Sequence, residues 1–162
     1  MNTIISARDV SKTINKLHDQ KKKIVVVGGC FDILHIGHIY FLQRAKSLGD
    51  LVIVLLEDDK TIMGSKGVSR PIYIQKDRAK VLSELRSVDI VLLLGKMEND
   101  TSYDTLVKKI KPAIIAATFG DPYLHHKIRQ AKLTGAQVIQ IKKIKDSSTS
   151  NIATLLAKKN TL

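Results

Sequence analysis

Apolar residues gather in five short runs along the chain, over 24–27, 51–56, 90–94, 113–117 and 138–141. None shows the strict alternation of a half-exposed strand, and unbroken apolar runs of this length suit strands covered on both faces. Between the runs, apolar positions return at helical spacing. Ile39, Leu42, Ala45 and Leu48 form one stripe, Ile74, Ala79, Leu82 and Leu85 a second, and Leu106 and Ile110 a third. A leading helix is expected around Ala7 to His18, carrying Val10, Ile14 and Leu17, and a closing helix around Asn151 to Lys159. Gly49 and Gly135 stand just before apolar runs, where helices are expected to end. Strand and helix in alternation imply parallel pairing with right-handed crossovers. The expected fold is a doubly wound, Rossmann-like α/β domain: a parallel sheet of about five strands with helices on both faces. No repeat, low-complexity tract or Pro-rich linker divides the chain, so residues 1–162 are expected to form one domain.

The stretch GGCFDILHIGH, Gly28 to His38, follows the first of these runs directly. In open α/β sheets, ligands bind beyond the carboxyl ends of the strands, near the point where strand order reverses. Gly28 and Gly29 let backbone approach a ligand closely, and a helix starting near Gly37 would turn its free N–H groups and positive dipole end toward it. That combination describes a phosphate site. His35 and His38 are three residues apart, which places both imidazoles on one side of the first helical turn and aims two donors at the same oxygens. His125 and His126 are adjacent, diverge on a helix, and read as a solvated pair.

Composition narrows the ligand's sign more than its identity. The chain carries 27 Lys and Arg against 15 Asp and Glu, a formal charge of +12, which favours anionic partners such as nucleotides and sugar phosphates. Aromatic residues make up only 4% of the sequence, too few for the stacking surfaces of a single-strand nucleic-acid binder, so no nucleic-acid partner is expected. Cys30 is the one cysteine; an internal disulfide is excluded, and a reducing, cytoplasmic compartment is expected. No apolar stretch approaches the ~20 residues that span a bilayer, and the N-terminus lacks the features of a cleavable signal. The chain is therefore expected to be complete and to have no membrane partner. No Ser-His-Asp or Cys-His arrangement suggests a covalent nucleophile.

The residues GGCFDILHIGHIYFLQRAKSLGD resemble the cytidylyltransferase-like nucleotidyltransferases, whose signature is H-x-G-H after a G-x-F-D turn. The likeness continues through SKGVSRP at Ser65 to Pro71, Arg78, the Val88-Asp89 pair, Gly120-Asp121 and the Ser/Thr-rich KDSSTSNI segment. Within that family, CFDILHIGH, KGVSRP and SSTSNI are similar to the adenylyltransferase domain of ADP-heptose synthases. The tetrad His-Ile-Gly-His also opens the first signature of class I aminoacyl-tRNA synthetases, but 162 residues cannot hold both an amino-acid pocket and a tRNA-binding domain.

The resemblance implies transfer of a nucleoside monophosphate from ATP or CTP to a phosphorylated small molecule, such as heptose 1-phosphate, with release of pyrophosphate. His35, His38, Lys66 and Arg78 would be the catalytic set, with Lys66 on a flexible loop touching phosphates, Arg70 nearby, and Arg78 bridging acceptor and nucleotide. Gly28, Gly29, Cys30, Phe31, Asp32 and Gly37 would form the nucleotide-binding turn, and Gly120 and Asp121 would lie by base and ribose. Ser148, Thr149 and Ser150 would meet the pyrophosphate end while capping the last helix. Mg²⁺ would arrive held mainly by phosphate oxygens, with Asp32 orienting the turn or supporting the ion and no dedicated metal site in the protein. A homodimer is compatible with the resemblance. The segments AATFGDP and KDSSTSNI depart from the family pattern at the nucleoside end. Base choice and acceptor therefore stay open, with glycerol-3-phosphate cytidylyltransferase, FMN adenylyltransferase and a non-catalytic nucleotide-binding regulator as alternatives.

Overall fold

The computed structural model describes residues 3–97 and 99–144. All five apolar runs are strands, and a sixth precedes them. In chain order the elements are β1 (Thr3–Ser6), α1 (Val10–Asp19), β2 (Ile24–Gly29), α2 (Ile36–Lys46), β3 (Leu51–Leu56), α3 (Asp59–Lys66), α4 (Gln75–Ser83), β4 (Ile90–Leu93), α5 (Asp100–Ile110), β5 (Ile114–Thr118), α6 (Leu124–Thr134) and β6 (Gln137–Ile141). Every pairing is parallel, and the strands lie in the order β1-β4-β3-β2-β5-β6.

The unbroken apolar character of the inner strands follows from cover on both faces; β6, at the sheet edge, exposes Gln137 and Gln140. Along β2, Val25 and Val27 pack with Phe41, Leu42 and Ala45 of α2 and Ala79 and Leu82 of α4. Ile24 and Val26 face the other way, onto Val10 and Ile14 of α1 and Leu106, Val107 and Ile110 of α5. A strand pointing alternate side chains into two cores has no solvent face on which to place polar residues.

Four details depart from the sequence expectation. β1 pairs on the outer edge of β4 and buries only Ile5, so its short TIIS stretch lacks a strand's apolar signature. The leading helix begins at Val10, after a turn, and not near Ala7. The expected loop around Lys66 is in large part helix: α3 begins after Asp58, whose carboxylate accepts the N–H groups of Lys60 and Thr61, and Lys66 is its last residue. The second apolar stripe is correspondingly shorter, because Ile74 is the exposed residue before α4 and is not part of the core.

The two helix-ending glycines prove to have different reasons. Gly135 caps α6 at φ 75°, the left-handed region that favours glycine. At Gly49 the reason is space, since a Cβ there would lie 2.6 Å from the Lys23 carbonyl oxygen and 2.7 Å from Val25.

Strand order reverses beside β2. From β2 the chain steps outward to β3 and β4, then crosses back to place β5 on the other side. The carboxyl ends of β2 and β5 therefore flank the switch point, where the Gly28 segment and the Gly120-Asp121 turn meet.

Candidate active site

A cavity of about 650 Å³ opens at this switch point. Gly28, Gly29 and Cys30 form its β2 edge; Glu57, Ser65 and Lys66 come from the β3–α3 side, and Thr118, Asp121 and His126 from the β5–α6 side. A Cβ on Gly28 would meet nothing within 4 Å, so backbone is open to the cavity there. Gly29 is closed off by Phe31, whose ring would lie 3.0 Å from a Cβ. Phe31 holds a left-handed backbone at φ 44°, and this sharp turn buries its ring 5.3 Å from the His38 ring.

His35 is the residue before α2, and its Nδ1 accepts the Gly37 N–H at 3.1 Å. That bond occupies the Nδ1 lone pair, so a neutral His35 carries its proton on Nε2. The His38 ring stacks on it, with centroids 3.9 Å apart and planes 29° from parallel. Burial, reinforced by the charges of His35 and Lys66, pushes His38 down to about 4, against a small opposing influence from the Ile33 backbone. Burial also lowers His35. The pair stands at the positive end of α2 beside the cavity rather than among the residues that line it, and the charge of Lys66, which does line it, reaches His38. Lys66 also lies against Cys30, where burial raises the thiol and the lysine charge acts in the opposite direction. A thiol held protonated in this way is a poor nucleophile.

Other sequence-derived residues sit elsewhere. Arg78 is 2% exposed and gives its N–H groups to protein: Nε to Tyr73 O at 2.9 Å, Nη1 to Cys30 O at 2.5 Å, and Nη2 to Glu57 O at 2.8 Å and Asp59 Oδ1 at 2.7 Å. This differs from the expectation of a bridging arginine, because the guanidinium is spent on three carbonyls that end neighbouring segments and does not line the main cavity.

Asp32, 5% exposed, accepts the N–H groups of Ile72 and Tyr73 and pairs with Arg70 through Nε at 2.7 Å and Nη2 at 2.6 Å. Burial alone would raise its carboxyl, but these donors outweigh it and hold the group below the ordinary carboxylate range. It anchors the turn, and with both oxygens engaged it does not fit the role of a metal ligand. Phe31, Asp32 and Arg78 instead border a separate cleft of about 420 Å³. Gly37 lies in the first turn of α2, and Gly120, at φ 73°, shapes the turn that presents Asp121. Asp121 pairs with Lys127 at 2.9 Å. Ser148, Thr149 and Ser150, like the expected closing helix, lie outside the described residues.

The cavity also contains groups that the sequence reading passed over. Glu57 follows β3 directly, and its Oε2 accepts the Tyr103 hydroxyl of α5 at 2.9 Å. Its place after an apolar strand run is itself a signal, since strand ends of this fold carry function; no local pattern marks Tyr103. His126 lines the cavity and meets Asp100 at 3.1 Å, which corrects its reading as one of a solvated pair. The adjacent histidines do not diverge as expected: their ring centroids lie 3.9 Å apart, and α5 packs where solvent was expected.

Comparison with known proteins identifies the relatives of the chain. A family model described as cytidylyltransferase-like matches residues 26–155. The bifunctional protein HldE of Aliarcobacter butzleri is 46% identical over 107 residues, covering 66% of this chain and 22% of that protein. The HldE of Methylobacillus flagellatus is 38% identical over 141 residues, covering 85% and 28%. The chain thus spans about a quarter of the length of these curated relatives. A lipopolysaccharide core biosynthesis protein from Thermoplasma volcanium superimposes with a TM-score of 0.63 at 30% identity, covering 76% of this chain and 99% of that one. The pantothenate synthetase of Thermus thermophilus shares the fold, with a TM-score of 0.64 at 13% identity over 94% of this chain and 67% of that one. On the strength of its sequence match across the strand ends that build the cavity, the chain belongs to the cytidylyltransferase-like nucleotidyltransferases.

Proposed function

We propose that the chain transfers AMP from ATP to a sugar phosphate such as heptose 1-phosphate and releases pyrophosphate. The observation that carries this reading is the meeting of Lys66, the stacked His35-His38 pair and the amino-terminal end of α2 beside an open glycine backbone at the switch point. Similarity to HldE proteins over the matched segment supports the choice of acceptor class.

In this reading a phosphate oxygen of the acceptor attacks the α-phosphorus in line. The new P–O bond forms as the bond to the α,β-bridging oxygen breaks, and pyrophosphate leaves with the electron pair. No strong base is needed, because a phosphate monoester, with a second pKa near ~6, arrives largely as the dianion. Acceleration comes from positioning and from charge placed where the transition state develops it. His35 presents Nε2–H, the His38 ring stacked on it holds it in place, and Lys66 supplies a positive charge from the end of α3. Mg²⁺ belongs to the triphosphate here, held by phosphate oxygens and water and neutralising their charge, since Asp32 is already occupied by Arg70 and backbone donors.

The test is pyrophosphate release with Mg²⁺ for ATP and CTP, each against heptose 1-phosphate, glycerol 3-phosphate and FMN. The expected active pair is ATP with heptose 1-phosphate; another active pair replaces the substrate assignment, and none refutes turnover. His35→Ala and His38→Ala are each expected to lower turnover by roughly 10²–10³-fold with the fold retained by circular dichroism. Near-normal rates in both variants would remove the histidines from the chemistry.

A further inference from the structure

A cavity that must receive two anionic substrates contains a carboxyl group with half its hydrogen-bonding capacity uncommitted. Glu57 lines the cavity, and its Oε2 is held by the Tyr103 hydroxyl, while among the described residues Oε1 makes no hydrogen bond. The Tyr103 bond reaches from α5 to the end of β3, so the carboxyl is fixed in direction and its remaining oxygen is presented to whatever enters. Arg78 fixes the same residue from behind by holding the Glu57 carbonyl at 2.8 Å. A group so firmly placed at a ligand-binding strand end is pre-organised for recognition.

We infer that Glu57, oriented by Tyr103, reads the hydroxyl groups of the acceptor, so that the site selects a phosphorylated polyol over phosphates without hydroxyls. This rests on the transferase reading. A phosphate cannot sit against a carboxylate, so the charged end of the acceptor lies toward Lys66 and the strand-end glycines, and its neutral body lies on the Glu57 side. Thr61 and Gln130 line the same cavity and add neutral hydrogen-bonding groups. An acceptor carrying an amine suits the cavity less well, because Lys66, Lys127 and Lys143 also line it. Burial, aided by the charge of Asp58, raises the Glu57 carboxyl despite the Tyr103 bond and the charges of Lys127 and Arg78.

The experiment compares glycerol 3-phosphate and a hexose 1-phosphate with propyl phosphate, which lacks hydroxyls, and with phosphoethanolamine. Each is titrated calorimetrically into the wild-type chain in the presence of Mg²⁺ and a non-hydrolysable ATP analogue, and each is assayed for pyrophosphate release. The wild type is expected to favour the hydroxylated phosphates over propyl phosphate by on the order of 10- to 100-fold. Glu57→Met is expected to bring that ratio close to one without weakening the ATP analogue, and Tyr103→Phe to reduce it several-fold by freeing the carboxyl. Equal weakening of hydroxylated and hydroxyl-free phosphates in Glu57→Met, or a wild-type preference for phosphoethanolamine, overturns the inference. Should Glu57→Met not fold, an unchanged ratio in Tyr103→Phe overturns it equally. Absence of pyrophosphate from every wild-type reaction, with ATP and heptose 1-phosphate included among them, refutes the transferase reading instead, and the calorimetric ratios still decide whether Glu57 recognises hydroxyls.

Discussion

His38 shows how one side chain serves a site at a cost to the free protein. Its ring is stacked on His35, packed near Phe31 and pushed down to about 4 from an ordinary 6.5, chiefly by burial. The unfolded chain therefore takes up this proton first as the solution is acidified. The associated stability is complete above about 6.5 and is lost as pH falls toward about 4. Glu57 acts in the opposite sense, because a raised carboxyl pKa makes the folded state bind its proton more readily. A difference between wild type and His38→Gln removes that contribution. Urea unfolding across this range is expected to show the wild type losing more stability than His38→Gln between pH 6.5 and 4. Parallel curves would mean that His38 is not held neutral. The H-x-G-H spacing made the stacked pair legible in the sequence, because one turn of helix determines which way both rings face. It said nothing of Lys66 as a neighbour of His38, which depends on where α3 ends.

At the scale of elements, the strand ends are held by α4. Gln75 Nε2 donates to the carbonyls of Leu56 at 2.9 Å and Leu94 at 2.8 Å, while Arg78 takes those of Cys30, Glu57 and Tyr73. Carbonyls at the ends of buried strands need such donors, and here they keep the rim of the cavity in register. The Val88-Asp89 pair has a comparable explanation: Val88 is fully buried, and Asp89 accepts the Val52 N–H at 2.7 Å and pairs with Lys46 at 2.7 Å. Arg78 and Asp89 were visible in the sequence as matched letters, but apart from the Tyr73 carbonyl the backbone groups they satisfy lie 21 to 48 residues away and become neighbours only when the sheet assembles. Gly49 offers a direct test of close packing between the end of α2 and the start of β2. Gly49→Ala is expected to lower stability by about 1–3 kcal/mol in chemical denaturation, because the added methyl meets the Lys23 backbone, which cannot yield as a side chain would. An unchanged midpoint would show that this turn relaxes freely.

For the whole molecule, strand order decides function by choosing which two strand ends share a crevice. β2 and β5 become neighbours although Ile114, where β5 begins, lies 85 positions after Gly29, and the Gly28-Cys30 edge thereby comes to face Asp121 and His126. The charge of +12 acts over the same scale, as a general attraction for anions that carries no shape. Filter binding is expected to show RNA held at about 50 mM salt and released by roughly 200 mM, while ATP remains bound, because many phosphate contacts made without a fitted groove depend steeply on salt. RNA retained more tightly than ATP at the higher salt would point to a nucleic-acid surface.

The sequence by itself determined the parallel α/β architecture, since buried runs and helical stripes are local consequences of side-chain chemistry. It also determined the glycine turn and the histidine pair, whose geometry is contained within a few residues of chain. Only the tertiary structure decided that Arg78 and Asp32 hold backbone while Glu57, Tyr103 and His126 line the cavity. The physical reason is that a polar side chain's role depends on which groups are brought within hydrogen-bonding distance, and most of those come from distant elements.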